Sequence, residues 1–115
     1  MPDVVCMGEV MVQFNAVTRG PLRHVALFEK HVAGAEGNVA IGVSRLGVFS
    51  GIITRVGDDE FGQFLLSTIR AEKVDTTHVT VDRDSPTAAF FVQRGYPIPG
   101  KARRSTIAGI RLEVN

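Results

Sequence analysis

The chain has 115 residues, 44% of them hydrophobic and 22% charged, the balance of an ordinary globular domain and far from the charged, apolar-poor signature of disorder. Its net charge of +1 supplies no global field to attract nucleic acid or an acidic membrane. No run approaches eighteen apolar residues and MPDVVCMGEV carries neither a basic segment nor a small-residue cleavage site, so neither a membrane span nor a signal peptide is expected and the expected location is cytoplasmic. A single cysteine, Cys6, makes no internal disulfide; its apolar surroundings predict a reduced core thiol.

In chain order, Val4 to Phe14 is too β-branched and continuous for a surface helix and reads as a buried strand broken at Gly8-Glu9. A polar, Gly- and Pro-containing stretch follows from Asn15 to Arg23, then a short strand around Val25 to Phe28, then the loop Ala33 to Asn38. Val39, Ala40, Val43 and Leu46 recur at helical spacing, and Gly47 is placed to stop that helix in a left-handed cap. Ser50 to Val56 predicts a strand. Acidic residues at Asp58, Asp59 and Glu60 then favour a helix N-terminus, and Phe61, Phe64, Leu65 and Ile69 give the clearest helical period in the chain. His78 to Val81 and Thr87 to Gln93 read as two strands joined by a turn, a hairpin. The order predicts an α/β fold with a parallel sheet under helices and the hairpin outside the main sheet. Beyond Gly95 the pattern decays, and Lys101 to Asn115 shows no period.

Several constellations bear on chemistry. Gly95 to Lys101 spells G-x-x-x-x-G-K, but Pro97 and Pro99 remove backbone donors a phosphate loop needs and Ala102 stands where its hydroxyl should be. His24, His31 and His78 lack a partner at i+3 or i+4, so no metal site is expected. Lys101, Arg103, Arg104 and Arg111 cluster without interleaved aromatics, the pattern of a solvated surface rather than a nucleic-acid site. The segment Gly34, Ala35, Glu36, Gly37, Asn38 before a helix admits two readings. Small residues and free helix N–H groups can admit a ligand, with Asn38 donating and accepting toward a hydroxyl; or Asn38 or Glu36 caps its own helix. Gly8 and Glu9 pose a similar choice between close ligand approach and a buried carboxylate satisfied by backbone donors.

Taken together, GEVMVQF, FEKHVAGAEGNVAIGVSRLG, RVGDDEFGQFLLSTIRAEKVDTTHV and TAAFFVQRGYPIP resemble the ribokinase-like, or phosphofructokinase-B, carbohydrate kinases over residues 3 to about 100. Within that family AGAEGN and QRGYPIP are similar to the archaeal 2-keto-3-deoxygluconate kinases that also accept the galactonate epimer. The resemblance implies the N-terminal part of a three-layer α/β sandwich with a small β lid, and ATP- and Mg2+-dependent phosphorylation of a sugar acid. It implies that Gly34, Ala35, Glu36, Gly37 and Asn38 line the sugar site and that Phe90 stands at an aromatic position often occupied by Tyr. Gly8, Glu9 and Arg104 are further substrate-binding candidates. The two hairpin strands would belong to the lid, and two copies would pair through it.

The family's ATP site and catalytic base lie in a C-terminal part to which no residue of this chain corresponds, so no catalytic residue is expected here. In place of the family's Tyr-Tyr-Arg lid strand stands Ala102 to Ile107. Residues 101–115 are therefore expected to be a divergent tail, and three sources stay open for it, a natural truncation, a trimmed chain and out-of-frame translation; for the last, AGT-ACT-ATT, one spelling of Ser105-Thr106-Ile107, read two bases later contains TAC-TAT, which encodes Tyr-Tyr.

Overall fold

The computed structural model describes residues 1–95 and the backbone of a strand at Ile107–Arg111. The phosphate-loop look-alike after Gly95, the YPIP turn and Arg104 lie outside the described residues. Ten elements follow one another: β1 (Val4–Met7), β2 (Met11–Arg19), a 3-10 turn (Leu22–His24), β3 (Phe28–Ala33), α1 (Ala35–Arg45), β4 (Ser50–Gly57), α2 (Glu60–Ala71), β5 (Val79–Asp82), β6 (Ala88–Arg94) and β7 (Ile107–Arg111).

The strands form two sheets. One is wholly parallel in the order β1-β4-β5; the other runs β3-β2-β6-β7, with β2 and β6 parallel and the other pairs antiparallel. The α/β class is as expected, but the structure corrects five local readings. The apolar run at the N-terminus is two strands in two sheets, with Gly8 to Val10 as the crossing between them. β5 and β6 form no hairpin, since β5 lies parallel to β4 and β6 parallel to β2. Only the second of the two strands assigned to the lid therefore belongs to the four-stranded sheet. The polar stretch after Phe14 continues β2 to Arg19, because alternate positions Val12 and Ala16 are buried while the face bearing Asn15 and Val17 stays more open. The following strand sits three residues later than expected, and β7 occupies part of the tail that shows no sequence period.

Both helices stop and start by identifiable chemistry. α1 begins at Ala35, four residues before its apolar period, and ends as predicted: Gly47 adopts φ +88°, its N–H donates to Ser44 O, and the Val48 N–H donates to Val43 O. The fully buried Ser50 hydroxyl donates to Ala40 O at 2.7 Å, pinning α1 to β4. α2 is capped by Asp59, whose Oδ1 accepts from the Gly62 N–H at 2.7 Å. The C-terminal ends of the helices meet through Arg45, which donates to both carboxylate oxygens of Glu72.

The core is one cluster: Val10, Val12 and Ala89 from the four-stranded sheet and its entry, Ile52 and Val56 from β4, Ala40 from α1, and Leu65, Leu66 and Ile69 from α2 with Val74 beyond it. α2 packs on β4 and also on β2. Its Phe61 meets Phe14 edge-on at 5.4 Å, and Phe14 stacks on Phe91 at 5.0 Å. An apolar stripe wide enough to serve two sheets explains why Leu66 is buried beside Leu65.

Candidate functional site

The chain passes between the sheets at Gly8 to Val10 and returns at Gly34, and the two crossings lie against each other. Gly34 has φ +116°, and a Cβ there would overlap the Glu9 carbonyl oxygen. A Cβ on Gly37 would stand 2.8 Å from Val10 Cγ1, and one on Gly8 would occupy the space of the Glu36 side chain. Packing of chain on chain thus accounts for three small residues. Gly34 is the N-cap of α1 and no side chain caps that helix, so neither Asn38 nor Glu36 has the capping role. Asn38 and Ala35 are exposed, and the Asn38 side chain makes no hydrogen bond among the described residues. The first turn of α1 therefore presents free N–H groups and an uncommitted amide side by side.

Glu9 is exposed, and Gly8 is a bend between sheets rather than a bulge within one. The expected buried carboxylate is corrected by topology, since the residue sits where the chain has left one sheet and not yet entered the next. Gly8 and Glu9 form one wall of a cleft of about 520 Å3 whose other side is Gly57, Asp82, Pro86 and Ala88. Arg55 reaches into this cleft, with Nη1 3.5 Å from Asp82 Oδ2. The α1 turn stands behind the same wall, through Glu36 over Gly8.

Phe90 is half-buried in β6, directly across from Gln13, which in turn faces His31 on β3. A second hollow of about 370 Å3 on this sheet is lined by Gln13, Asn15, Glu29, Val92 and Arg94, with Gln13 donating to Asn15 at 2.6 Å. Phe90 lines neither hollow, although its partner Gln13 lines the second. The structure thus brings Gly8 against Glu36, Glu9 against Gly34 and Val10 against Gly37, and leaves Phe90 on the four-stranded sheet. Gln13, Arg55 and Asp82 were not singled out in the sequence; the period-two alternation from Met11 is the one signal that could have marked Gln13. Among the described residues no three His, Cys, Asp or Glu side chains gather as metal ligands, so these residues do not fit a Mg2+ site of their own.

Beside Gly57, which lines the first cleft, Asp59 does more than cap α2. Its Oδ1 also accepts from the Thr87 hydroxyl at 2.6 Å and its Oδ2 from the Thr87 N–H at 2.9 Å. Partial burial opposes the ionised form, but the Thr87 hydroxyl and the N–H groups of Thr87, Gly62 and Phe61 outweigh it and hold the carboxyl below its ordinary range. The Glu72 carboxyl is lowered by Arg45, and that of Asp75 by Thr77. A depressed folded-state value means that the stabilisation is complete above the unfolded value, about 4, and is lost as pH falls through the folded one. Thermal melts should therefore move down progressively below about pH 4, and an Asp59→Asn variant should show a shallower acid dependence; identical acid profiles would contradict this role for Asp59.

A sequence model of the pfkB family carbohydrate kinases matches residues 1–96. The 2-dehydro-3-deoxygluconokinase of Thermoproteus tenax is 50% identical over 116 aligned positions that take in 97% of this chain and 36% of the relative. That alignment necessarily enters the tail beyond residue 100, past the expected end of the resemblance. The uncharacterized sugar kinase PH1459 of Pyrococcus horikoshii is 44% identical over 97% of the chain and 36% of its own length. Its crystal structure in complex with ATP superposes with a TM-score of 0.82 at 38% identity, covering 93% of this chain and 33% of that one. A PfkB protein from Polaromonas sp. JS666 superposes at 0.84, with 36% identity over 96% of this chain and 35% of that one. The chain spans about a third of the length of these relatives. No helix among the described residues is long and apolar enough to cross a membrane. With the family match running from β1 through β6 and the chain superposing on the solved kinases over more than nine tenths of its length, the chain belongs to the pfkB family of carbohydrate kinases.

Proposed function

We propose that this chain is the sugar-recognition and lid part of a cytoplasmic kinase that transfers the γ-phosphoryl group of ATP, with Mg2+, to 2-keto-3-deoxygluconate, and to its galactonate epimer. The observation that carries the reading is the 50% identity to a 2-dehydro-3-deoxygluconokinase, the same sugar acid under another name, across 97% of the chain. The first turn of α1 supports it: Asn38 is exposed and uncommitted beside free helix N–H groups, an arrangement suited to a polyol. Gly34 to Gly37 shape that turn, Gly8 and Glu9 form the adjoining wall, and Phe90 supplies an apolar ring on the lid sheet. Arg104 would meet the substrate carboxylate as a planar fork. Two copies pair through the four-stranded sheet, and nucleic acid and membrane have no part.

Titration calorimetry with 2-keto-3-deoxygluconate tests the reading. Asn38→Ala should weaken binding about tenfold, the value of one or two hydrogen bonds to neutral hydroxyls of the sugar acid, while the melting temperature stays nearly constant because Asn38 caps nothing. Equal affinity in both proteins removes Asn38 from the site. These 115 residues alone should bind without turnover, since phosphoryl transfer depends on groups that position nucleotide and metal; sustained ADP release in a coupled assay would contradict that part.

A further inference from the structure

The four-stranded sheet joins the three-stranded one by three crossings. Two of them, Gly8 to Val10 and Gly34, are locked by direct backbone packing. The third, from β5 to β6, turns the corner at Thr87, which is 2% exposed. Thr87 is held from three directions: its N–H and hydroxyl donate to the two oxygens of Asp59, and its hydroxyl oxygen accepts from the Gly57 N–H at 2.9 Å. The last residue of β4, the cap of α2 and the residue before β6 thereby share one knot, buried at Gly57 and Thr87 and partly buried at Asp59. Space for it exists only because two residues lack side chains. A Cβ on Gly57 would overlap the Thr87 nitrogen, and one on Gly62 would overlap Gly57 O and stand 3.1 Å from Thr87 Oγ1. A neighbouring bond from the Asp58 N–H to Asp82 O at 2.9 Å fixes the end of β5 to the same turn.

Hydrogen bonds are directional where apolar packing is not, so this knot sets the direction in which β6 leaves, not merely how tightly it is held. Phe90 lies three residues on, about 10 Å along an extended strand, so a small rotation at Thr87 displaces it appreciably. We infer that Thr87, clasped by Asp59 and Gly57, is a positioning residue: the pin that sets the angle of the lid strand β6, and with it Phe90, against the three-stranded sheet. Only the consequence for Phe90 rests on the proposed sugar site; the angle of β6 does not.

Amide hydrogen exchange on the full chain tests this. Thr87→Val removes the hydroxyl at nearly constant volume and should speed exchange across Ala89 to Val92 about tenfold, with Ile52 to Val56 of β4 unchanged; Thr87→Ser should restore the wild-type pattern. Asp59→Asn, which exchanges one acceptor for a donor facing Thr87, should act in the same direction and serves in its place if the valine variant does not fold. Acceleration of β4 and β6 to the same extent, unchanged β6, or failure of serine to rescue would each overturn the pin. Binding of 2-keto-3-deoxygluconate is read on the same samples: absence of binding in every protein removes the sugar site and leaves the pin, whereas weakened binding with unchanged exchange removes the pin and leaves the site.

Discussion

Gly34→Ala should destabilise the chain by about 2–4 kcal/mol, read as a lower urea midpoint at constant slope. The φ of +116° is a conformation that L residues adopt only with strain, and the new Cβ would meet the backbone oxygen of Glu9, which no rotamer change can move aside. Gly47→Ala isolates the first of these effects. Gly47 also has positive φ, at +88°, but open space surrounds its Cβ direction, so the cost there should be only about 1 kcal/mol. Equal costs at the two positions would mean that the crossings do not touch as described.

Leu65→Ala should cost about 2–5 kcal/mol, the range for emptying a fully buried leucine site. Leu65 is 0% exposed, on the helix that packs against both β4 and β2, and its loss opens a void between the two sheets. Leu46→Ala, at a position 84% exposed, should stay within about 0.5 kcal/mol. Denaturant melts of the two variants separate them, and similar losses would refute the core as placed.

The helices were readable because each carries its own evidence. α2 announces itself by Phe61, Phe64, Leu65 and Ile69 on one face and by acidic residues at its start, and α1 by its terminal Gly47 in the left-handed region. The start of α1 was not readable: Ala35, Glu36 and Gly37 contribute no apolar period, and they are helical because Gly34 turns the chain against Glu9. Likewise Asp59 was legible as a charge at a helix N-terminus, whereas its grip on Thr87, twenty-eight residues away, was not.

What the sequence determined by itself is the class of fold and the family, since apolar periodicity is local and the motifs at Gly34 to Asn38 and Gly57-Asp58 are contiguous. What only the tertiary structure decided is which strands share a sheet. Val4 to Phe14 reads as one broken strand, and His78 to Val81 with Thr87 to Gln93 reads as a hairpin, because hydrophobic alternation reports that a segment is a strand and carries nothing about its partner. Pairing is settled by contacts between residues far apart in the chain: β1 with β4 across more than forty residues, and β2 with β6 across more than seventy. For the same reason the small residues at Gly8, Gly34 and Gly37 look alike in the sequence whether they admit a ligand or another part of the chain; the meeting of two crossings shows that the Glu9 backbone fills the space at Gly34, the Glu36 side chain that at Gly8 and the Val10 side chain that at Gly37.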